Sequence, residues 1–408
     1  MKCRHCNTEI NLTLVDLGSS PPSNAYLKKE DLNKPETWHT LKVEVCQNCW
    51  LVQTGEMASS LELFDKDYAY FSSFSKFWLD HAKSYVDKML HIFNFDSKSL
   101  FIEVASNDGY LLQYINQKGY KSLGIEPTNS TAVAARERGV ETIEEFFGVD
   151  LATKLYNDNM LADLMIANNV LAHVPDINDF IKGFSILLKS DGVATFEFPH
   201  LMQLINHNQF DTIYHEHFSY LSLSTVSVIF ESNGLSVFDV EEIPTHGGSL
   251  RVYAQKKSTG TRKINENVLE LLKKESSVGI TSSKYYEGFQ YKTNKVKYDF
   301  LNFLISAKLK GKKVAAYGAA AKGNTLMNFS GVRNDLISFV VDRNPAKQNK
   351  YMPGSRIIIT NEDVLKIERP DYIVILPWNL KNEIAEQLSY VKDWGCQFVT
   401  AIPKIEIF

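Results

Sequence analysis

Apolar residues along the chain fall into three regimes. From about residue 98 short runs recur between amphipathic stretches, "SLFIEVA", "KSLGIEP", "ADLMIAN" and "GVATFEF", and read as parallel strands with crossover helices. Two further runs, "GLSVFDVEEI" and "SLRVYAQ", are separated only by "PTHGG" and predict an antiparallel hairpin added to that sheet. Residues 258–310 are rich in Lys and Glu with helical spacing and predict connecting helices. Strand and helix then alternate again through "KKVAAYGA", "LISFVVD", "DYIVIL" and "CQFVTAI", a second, smaller doubly wound sheet.

The first hundred residues follow neither pattern. They hold Cys3, Cys6, Cys46 and Cys49, four of the five cysteines, as two C-x2-C pairs. Two such knuckles can share one tetrahedral Zn2+, and four sulfur ligands would close its coordination shell, so a structural metal is expected. The expected fold is therefore α/β in three parts: a zinc-binding unit over 1–75, a Rossmann-like unit with a terminal hairpin over 76–257, and connecting helices with a smaller α/β unit over 258–408.

Composition narrows the partners. An apolar share of 44% and a charged share of 23% describe a globular chain, and its 44 basic and 48 acidic residues are well mixed, for a net charge of −4. No basic block could track a phosphate backbone, so nucleic acid is not expected as a partner. With no apolar leader or spanning run in the sequence, a monomer in the cytoplasm is the expectation.

The turn after "FIEVA" has strand–turn–helix context but lacks G-x-G-x-x-G. Its polar residues Ser106, Asn107 and Asp108, with Ala105 and Gly109, suit a cationic or hydroxyl-bearing ligand better than a pyrophosphate. Glu126, with Pro127, ends the next strand where an acid commonly accepts ribose hydroxyls. S-adenosylmethionine meets these demands, with Glu103 and the turn at its methionine end and Asn168 and Asn169 at the end of "ADLMIANN".

"DTIYHEHFSYLS", residues 211–222, follows "GVATFEFPH" and lies beyond the carboxyl edge of the sheet, as does "LAHVPD". If the stretch is extended, His215 and His217 share one face and Tyr214 and Glu216 the other, which disfavours a metal and favours acid/base chemistry. The following apolar run predicts a helix opened by Ser222 or Ser224. In the second α/β unit "GAAAKGNTLMN" looks like a phosphate turn with Lys322 added.

In order, the C-x2-C pairs, "YAYFSSFS", "EVASNDGYLL", "NNVLAHVPD", "FEFPHLMQLI", "YHEHFSYLS", "HGGSLRVY" and "YGAAAKGNTLMN" resemble the sugar C-methyltransferases of deoxysugar biosynthesis, over nearly the whole chain. Members of that family act on nucleotide-linked 4-keto-6-deoxysugars. The resemblance implies that His217 removes the proton next to the ketone, with Tyr214 and Glu216 as neighbours, His173 facing the same pocket and Tyr68 closing it. It also implies substrate contacts at Phe196, His200, Lys322, Asn324 and Asn379. Two other classes stay open on the residues alone: a nicotinamide-dependent sugar oxidoreductase or epimerase, and a non-catalytic zinc-containing binding protein.

Overall fold

The computed structural model describes residues 1–55 and 71–408. At the N-terminus each C-x2-C knuckle closes on a left-handed residue. Asn7 (φ 60°) and Trp50 (φ 63°) return their backbone N–H groups to the carbonyls of Cys3 and Cys46, both at 2.9 Å. Beside the knuckles, β1 (Leu12–Ser20), β2 (His39–Val45) and β3 (Val52–Thr54) form an antiparallel sheet.

The central sheet contains β4 (Leu100–Val104), β5 (Lys121–Ile125), β6 (Thr142–Ile143), β7 (Ala162–Asn168) and β8 (Leu188–Pro199), all parallel. A short strand, β9 (Ser219–Tyr220), leaves this unit and pairs with β3 instead. The hairpin β10 (Leu235–Ile243) and β11 (Ser249–Lys256) then returns antiparallel to β8, giving the order β10-β11-β8-β7-β4-β5-β6. The order reverses beside β4, the point at which open α/β sheets bind ligands. β4, β7 and the inner part of β8 are apolar on both faces because helices cover both, and buried Ile102, Met165, Ala194 and Phe196 belong to one continuous core.

Helices Glu266–Val278, Ser283–Tyr286 and Phe289–Leu309 lead to the second sheet. It holds β12 (Val314–Tyr317), β13 (Val340–Val341), β14 (Ile359–Thr360), β15 (Tyr372–Ile375), β16 (Gln397–Thr400) and β17 (Glu406–Ile407). Their order is β14-β13-β12-β15-β16-β17, parallel except for β17.

The N-terminal unit touches both α/β units. Cys3, Cys46 and Leu51 join the core of the central sheet, whereas Leu14, Val15 and Val43 join that of the second sheet with Phe300, Leu304 and Met327. None of the described helices is long and apolar enough to cross a membrane.

Candidate active site

The four cysteine sulfurs lie within 4.8 Å of one another, with Cys3 to Cys49 and Cys6 to Cys46 each 3.5 Å apart. Tetrahedral zinc with Zn–S bonds of about 2.3 Å needs sulfur–sulfur edges of about 3.8 Å, so the cage fits that ion. The knuckles also brace the neighbouring loops. Thr225 Oγ1 donates to the Trp50 carbonyl at 3.1 Å, and Thr54 donates through Oγ1 to the His217 carbonyl and through N to the Phe218 carbonyl, both at 3.1 Å.

At the end of β4 the chain turns through three left-handed residues, Ala105 (φ 56°), Asn107 (φ 49°) and Gly109 (φ 74°). A Cβ at Gly109 would come within 2.9 Å of Val140 Cγ2, so glycine is required there by conformation and by space. The Asn107 and Thr128 amides each donate to the Glu126 carboxylate at 3.0 Å, which fixes the turn against the end of β5. Pro127 follows directly. Asp108 is held by Arg138 Nη1 at 2.7 Å and also accepts from Ser73 Oγ, so its Oδ2 ties residue 73 to the turn.

Burial, and next the charges of Asp108, Glu126 and Glu197, hold the Glu103 carboxyl well above the usual carboxylate range. Among the described residues, buried polar atoms without a partner gather here: Glu103 Oε2, Ser106 Oγ, Asp108 Oδ1, both amide atoms of Asn168, and Asn169 Oδ1. Such groups carry a desolvation penalty until something meets them. A ligand with cationic and hydroxyl-bearing groups fits this set, and S-adenosylmethionine offers both.

The stretch 211–222 is not extended. A 3-10 turn at Phe210–Thr212 and a turn at 214–217 precede β9, and the two histidines diverge. His215 packs edge-on against His39, with ring centroids 5.8 Å apart, and lies 3.3 Å from the His39 carbonyl. His217 turns the other way. Its Nδ1 lies 2.9 Å from the Thr212 carbonyl, an acceptor only, so Nδ1 carries the proton and Nε2 the lone pair; Tyr214 Oη donates to Nε2 at 2.7 Å. The His173 ring stands edge-on to His217 with centroids 4.6 Å apart. Burial, and then the nearby His173, keeps the His217 pKa well below its ordinary value, so the ring is neutral at neutral pH. Glu216 accepts from Asn24 at 3.1 Å, and burial raises its carboxyl pKa.

Lys322, near the start of helix Ala321–Ser330, is close enough for its charge to help lower the His217 pKa. Its Nζ donates to Asn379 Oδ1 at 2.9 Å and lies 4.7 Å from the centre of the Trp378 ring. Trp378 Nε1 donates to Asp211 Oδ2 at 2.7 Å, and burial pushes the Asp211 carboxyl up to about 6.

Thus the structure brings His217, Tyr214 and His173 together, and Lys322 with Asn379. Three other expectations are met differently. Asn324 donates to the Ser23 carbonyl at 2.6 Å and so ties the N-terminal unit to the second sheet. His200 is 1% exposed and lies 2.7 Å from Glu275, inside the protein rather than at a cleft. Phe196 packs between Phe184 and Phe230, because strand alternation sends it to the core. Its neighbour Glu197 points the opposite way and meets His81 at 2.7 Å and Arg251 at 2.6 Å. A carboxylate inside the apolar "ATFEF" was the available signal for Glu197. His246, Asp211 and Trp378 were also missed, since each becomes a neighbour of His217 or Lys322 only through folding. Tyr68 lies outside the described residues.

Comparison with known proteins agrees with this architecture. Family models described as "Putative zinc binding domain", "Methyltransferase domain" and "C-methyltransferase C-terminal domain" match residues 3–64, 77–240 and 244–403. The C-methyltransferase NovU of Streptomyces niveus is 34% identical over 403 residues, covering 99% of this chain and 96% of that protein. Among solved structures, the magnesium protoporphyrin IX methyltransferase of Synechocystis is 15% identical with a TM-score of 0.34, covering 44% of this chain and 79% of that one. An S-adenosylmethionine-dependent methyltransferase of Clostridium acetobutylicum is 13% identical with a TM-score of 0.36, covering 45% and 92%. The oxidoreductase and non-catalytic readings are set aside by the full-length match. The chain belongs to the S-adenosylmethionine-dependent C-methyltransferases that join a zinc-binding domain, a methyltransferase domain and a C-methyltransferase C-terminal domain.

Proposed function

We propose that the protein methylates C3 of a nucleotide-linked 4-keto-6-deoxysugar, carried on dTDP or GDP, with His217 as general base. The observation that carries this reading is the hydrogen bonding of His217. Its proton is fixed on Nδ1 by a carbonyl, leaving a basic Nε2 beside Tyr214 and His173 at the edge of a methyltransferase sheet. A carbon next to a ketone becomes nucleophilic when its proton leaves and the electron pair moves onto the carbonyl oxygen. His217 Nε2 would accept that proton once Tyr214 turns its hydroxyl away from Nε2, and Tyr214, His173 or Tyr68 would donate to the oxygen. Glu216, whose carboxyl pKa burial raises, would orient a sugar hydroxyl or a histidine.

S-adenosylmethionine, when bound, supplies the electrophilic methyl. Glu103, Ser106, Asn107, Asp108, Gly109, Glu126, Asn168 and Asn169 are the residues proposed to hold it, in a methyltransferase domain running from about residue 76 to 257. Lys322 and Asn379 are proposed to meet the nucleotide's phosphates from the 258–408 unit. The name of NovU supports C-methylation, and the motif resemblance supports the sugar.

The test is incubation with S-adenosylmethionine and a panel of dTDP- and GDP-linked 4-keto-6-deoxysugars, followed by mass spectrometry for one added methylene. His217→Ala is expected to slow turnover by roughly 10²–10⁴, the range for a lost general base. Near-normal turnover in that variant would remove His217 from the role, and no product from any panel member would remove the substrate class.

A further inference from the structure

We propose that His246 is a second catalytic histidine, donating a ring N–H to the substrate's carbonyl oxygen as negative charge collects there. The inference rests on the enolate chemistry just proposed and names a donor that chemistry needs. His246 sits in the loop between β10 and β11, in "THGGS", with φ 54°, ahead of Gly247 (φ 88°) and Gly248 (φ 114°). Glycines take such angles freely. A histidine rarely does, and strained positions of this kind persist where the surroundings enforce them, often at functional sites.

The enforcement is visible on both sides. A Cβ at Gly247 would lie 2.4 Å from the Trp378 ring, and one at Gly248 2.7 Å from Gln203, so the loop is clasped between helix Leu201–Asn206 and the second α/β unit. The His246 ring lies against Trp78, with centroids 5.0 Å apart. Nor is the strain repaid by an internal hydrogen bond. His217, His215, His81 and His200 all meet a described partner, whereas His246 makes no hydrogen bond with any described residue. Its ring is therefore available to a ligand.

The surroundings also fit the task. The Trp378 ring that abuts Gly247 has Lys322 Nζ 4.7 Å from its centre, and Trp78 packs on both His246 and His81, so His246 sits beside the cleft that Lys322 enters; its charge also bears on His217. Burial, and then Lys322, pushes its pKa down to about 3. A neutral imidazole keeps one N–H to donate without competing for the proton that His217 takes. In the step, the C3–H bond breaks and its proton moves to His217 Nε2; the electron pair it leaves forms the C3=C4 double bond, and the carbonyl π pair moves onto oxygen, where His246 N–H meets it.

His246→Gly separates chemistry from folding, because glycine accepts φ 54° and removes only the ring. The reaction to follow is deuterium uptake at C3, without S-adenosylmethionine, in the panel sugar that the parent enzyme methylates. Exchange is expected to fall by about 10²–10³, the usual loss for one oxyanion donor, with S-adenosylmethionine affinity by calorimetry and the melting temperature held. Free imidazole added to this variant, or His246→Asn, which tolerates the left-handed angle and keeps an N–H, is expected to restore part of the rate. Exchange at the parent rate in His246→Gly would overturn the proposal, as would loss of cofactor affinity or melting temperature in step with the rate. If His217→Ala abolishes exchange while His246→Gly does not, only the donor assignment falls; if both exchange normally, the enolate reading falls with it.

Discussion

Both sheets leave their first ligand-facing strand through a tight turn into a helix, and the two turns carry opposite charge. After β4, Glu103 and Asp108 lie buried beside Glu126, and burial together with the neighbouring carboxylates holds the Glu103 carboxyl pKa well above the usual carboxylate range. After β12, Gly318 (φ 91°) packs on Pro377, the Ala319 amide donates to Asp342 at 2.7 Å, and Lys322 enters the cleft. At the first edge Arg138 is taken up by Asp108, whereas the second presents Lys322 beside Asn379 and Trp378. The shared backbone plan positions a ligand, and the side chains of the turn and of the facing strands decide its sign.

The metal should have the largest effect, because the N-terminal unit props both edges. Thr54 holds the His217 loop, while Tyr26 Oη donates to the Ala319 carbonyl at 2.6 Å and Arg356 pairs with Glu36 at 2.7 Å. Structural zinc sites contribute about 10–16 kcal/mol of folding free energy in small domains. Chelation is expected to abolish turnover and lower the melting temperature, with recovery on adding Zn2+; full activity in protein verified metal-free by atomic absorption would show that the edges stand without it.

Glu103→Gln comes next. Losing a charged partner at a buried site costs about 1.5–3 kcal/mol, so S-adenosylmethionine affinity should drop roughly 10- to 100-fold while dTDP affinity holds. Calorimetry in buffers of different ionisation enthalpy sharpens the point. Glu103 has a raised pKa without a cation, so cofactor binding should release a proton, and affinity should weaken as pH falls; the variant should lose that proton release. Parent binding without it would argue against Glu103 as the counter-charge. At the other edge, Lys322→Gln should weaken dTDP binding by roughly tenfold and leave S-adenosylmethionine alone, since one tenfold step is about 1.4 kcal/mol, the scale of one charged hydrogen bond. Equal loss of both ligands would mean that the edges are not independent.

The smallest effect is on acid stability. His173 and His215, with pKa values pushed down to about 4 by burial, stay neutral in the folded chain while their unfolded counterparts protonate below about pH 6.5. The unfolded state then binds more protons, so their share of stability is lost as pH falls from about 6.5 to 4. Glu103 works in the opposite sense, because its raised pKa makes the folded state bind a proton earlier and favours acid. His215→Phe should flatten the acid loss in urea titrations at several pH values, and an unchanged slope would place the loss elsewhere.

Much of this was legible beforehand. The paired cysteines, the strand and helix alternation, the terminal hairpin and the polar turn after β4 could be read from local spacing, because each depends on neighbours in sequence. Ser222 indeed caps helix Leu223–Ser232, accepting from the Thr225 amide at 3.2 Å. The condition that 211–222 be extended is not met, because the chain folds back at 214–217 before β9 joins β3, so period two does not apply there. Phe196 points into the core and its neighbour Glu197 the other way; strand alternation is legible in sequence, but the face that meets a ligand is not.

The sequence by itself determined the elements, the metal cage and the chemical inventory of the turns, for those follow from bond geometry and burial along a short stretch of chain. Only tertiary structure decided that His217 turns Nε2 to Tyr214 while His215 packs on His39, that Asp108 is engaged by Arg138, and that Lys322 meets Asn379 and Trp378. Such facts depend on a carbonyl, a guanidinium or a loop supplied from elsewhere in the fold. Proton position and pKa are set by those partners, and spacing along the chain does not encode them.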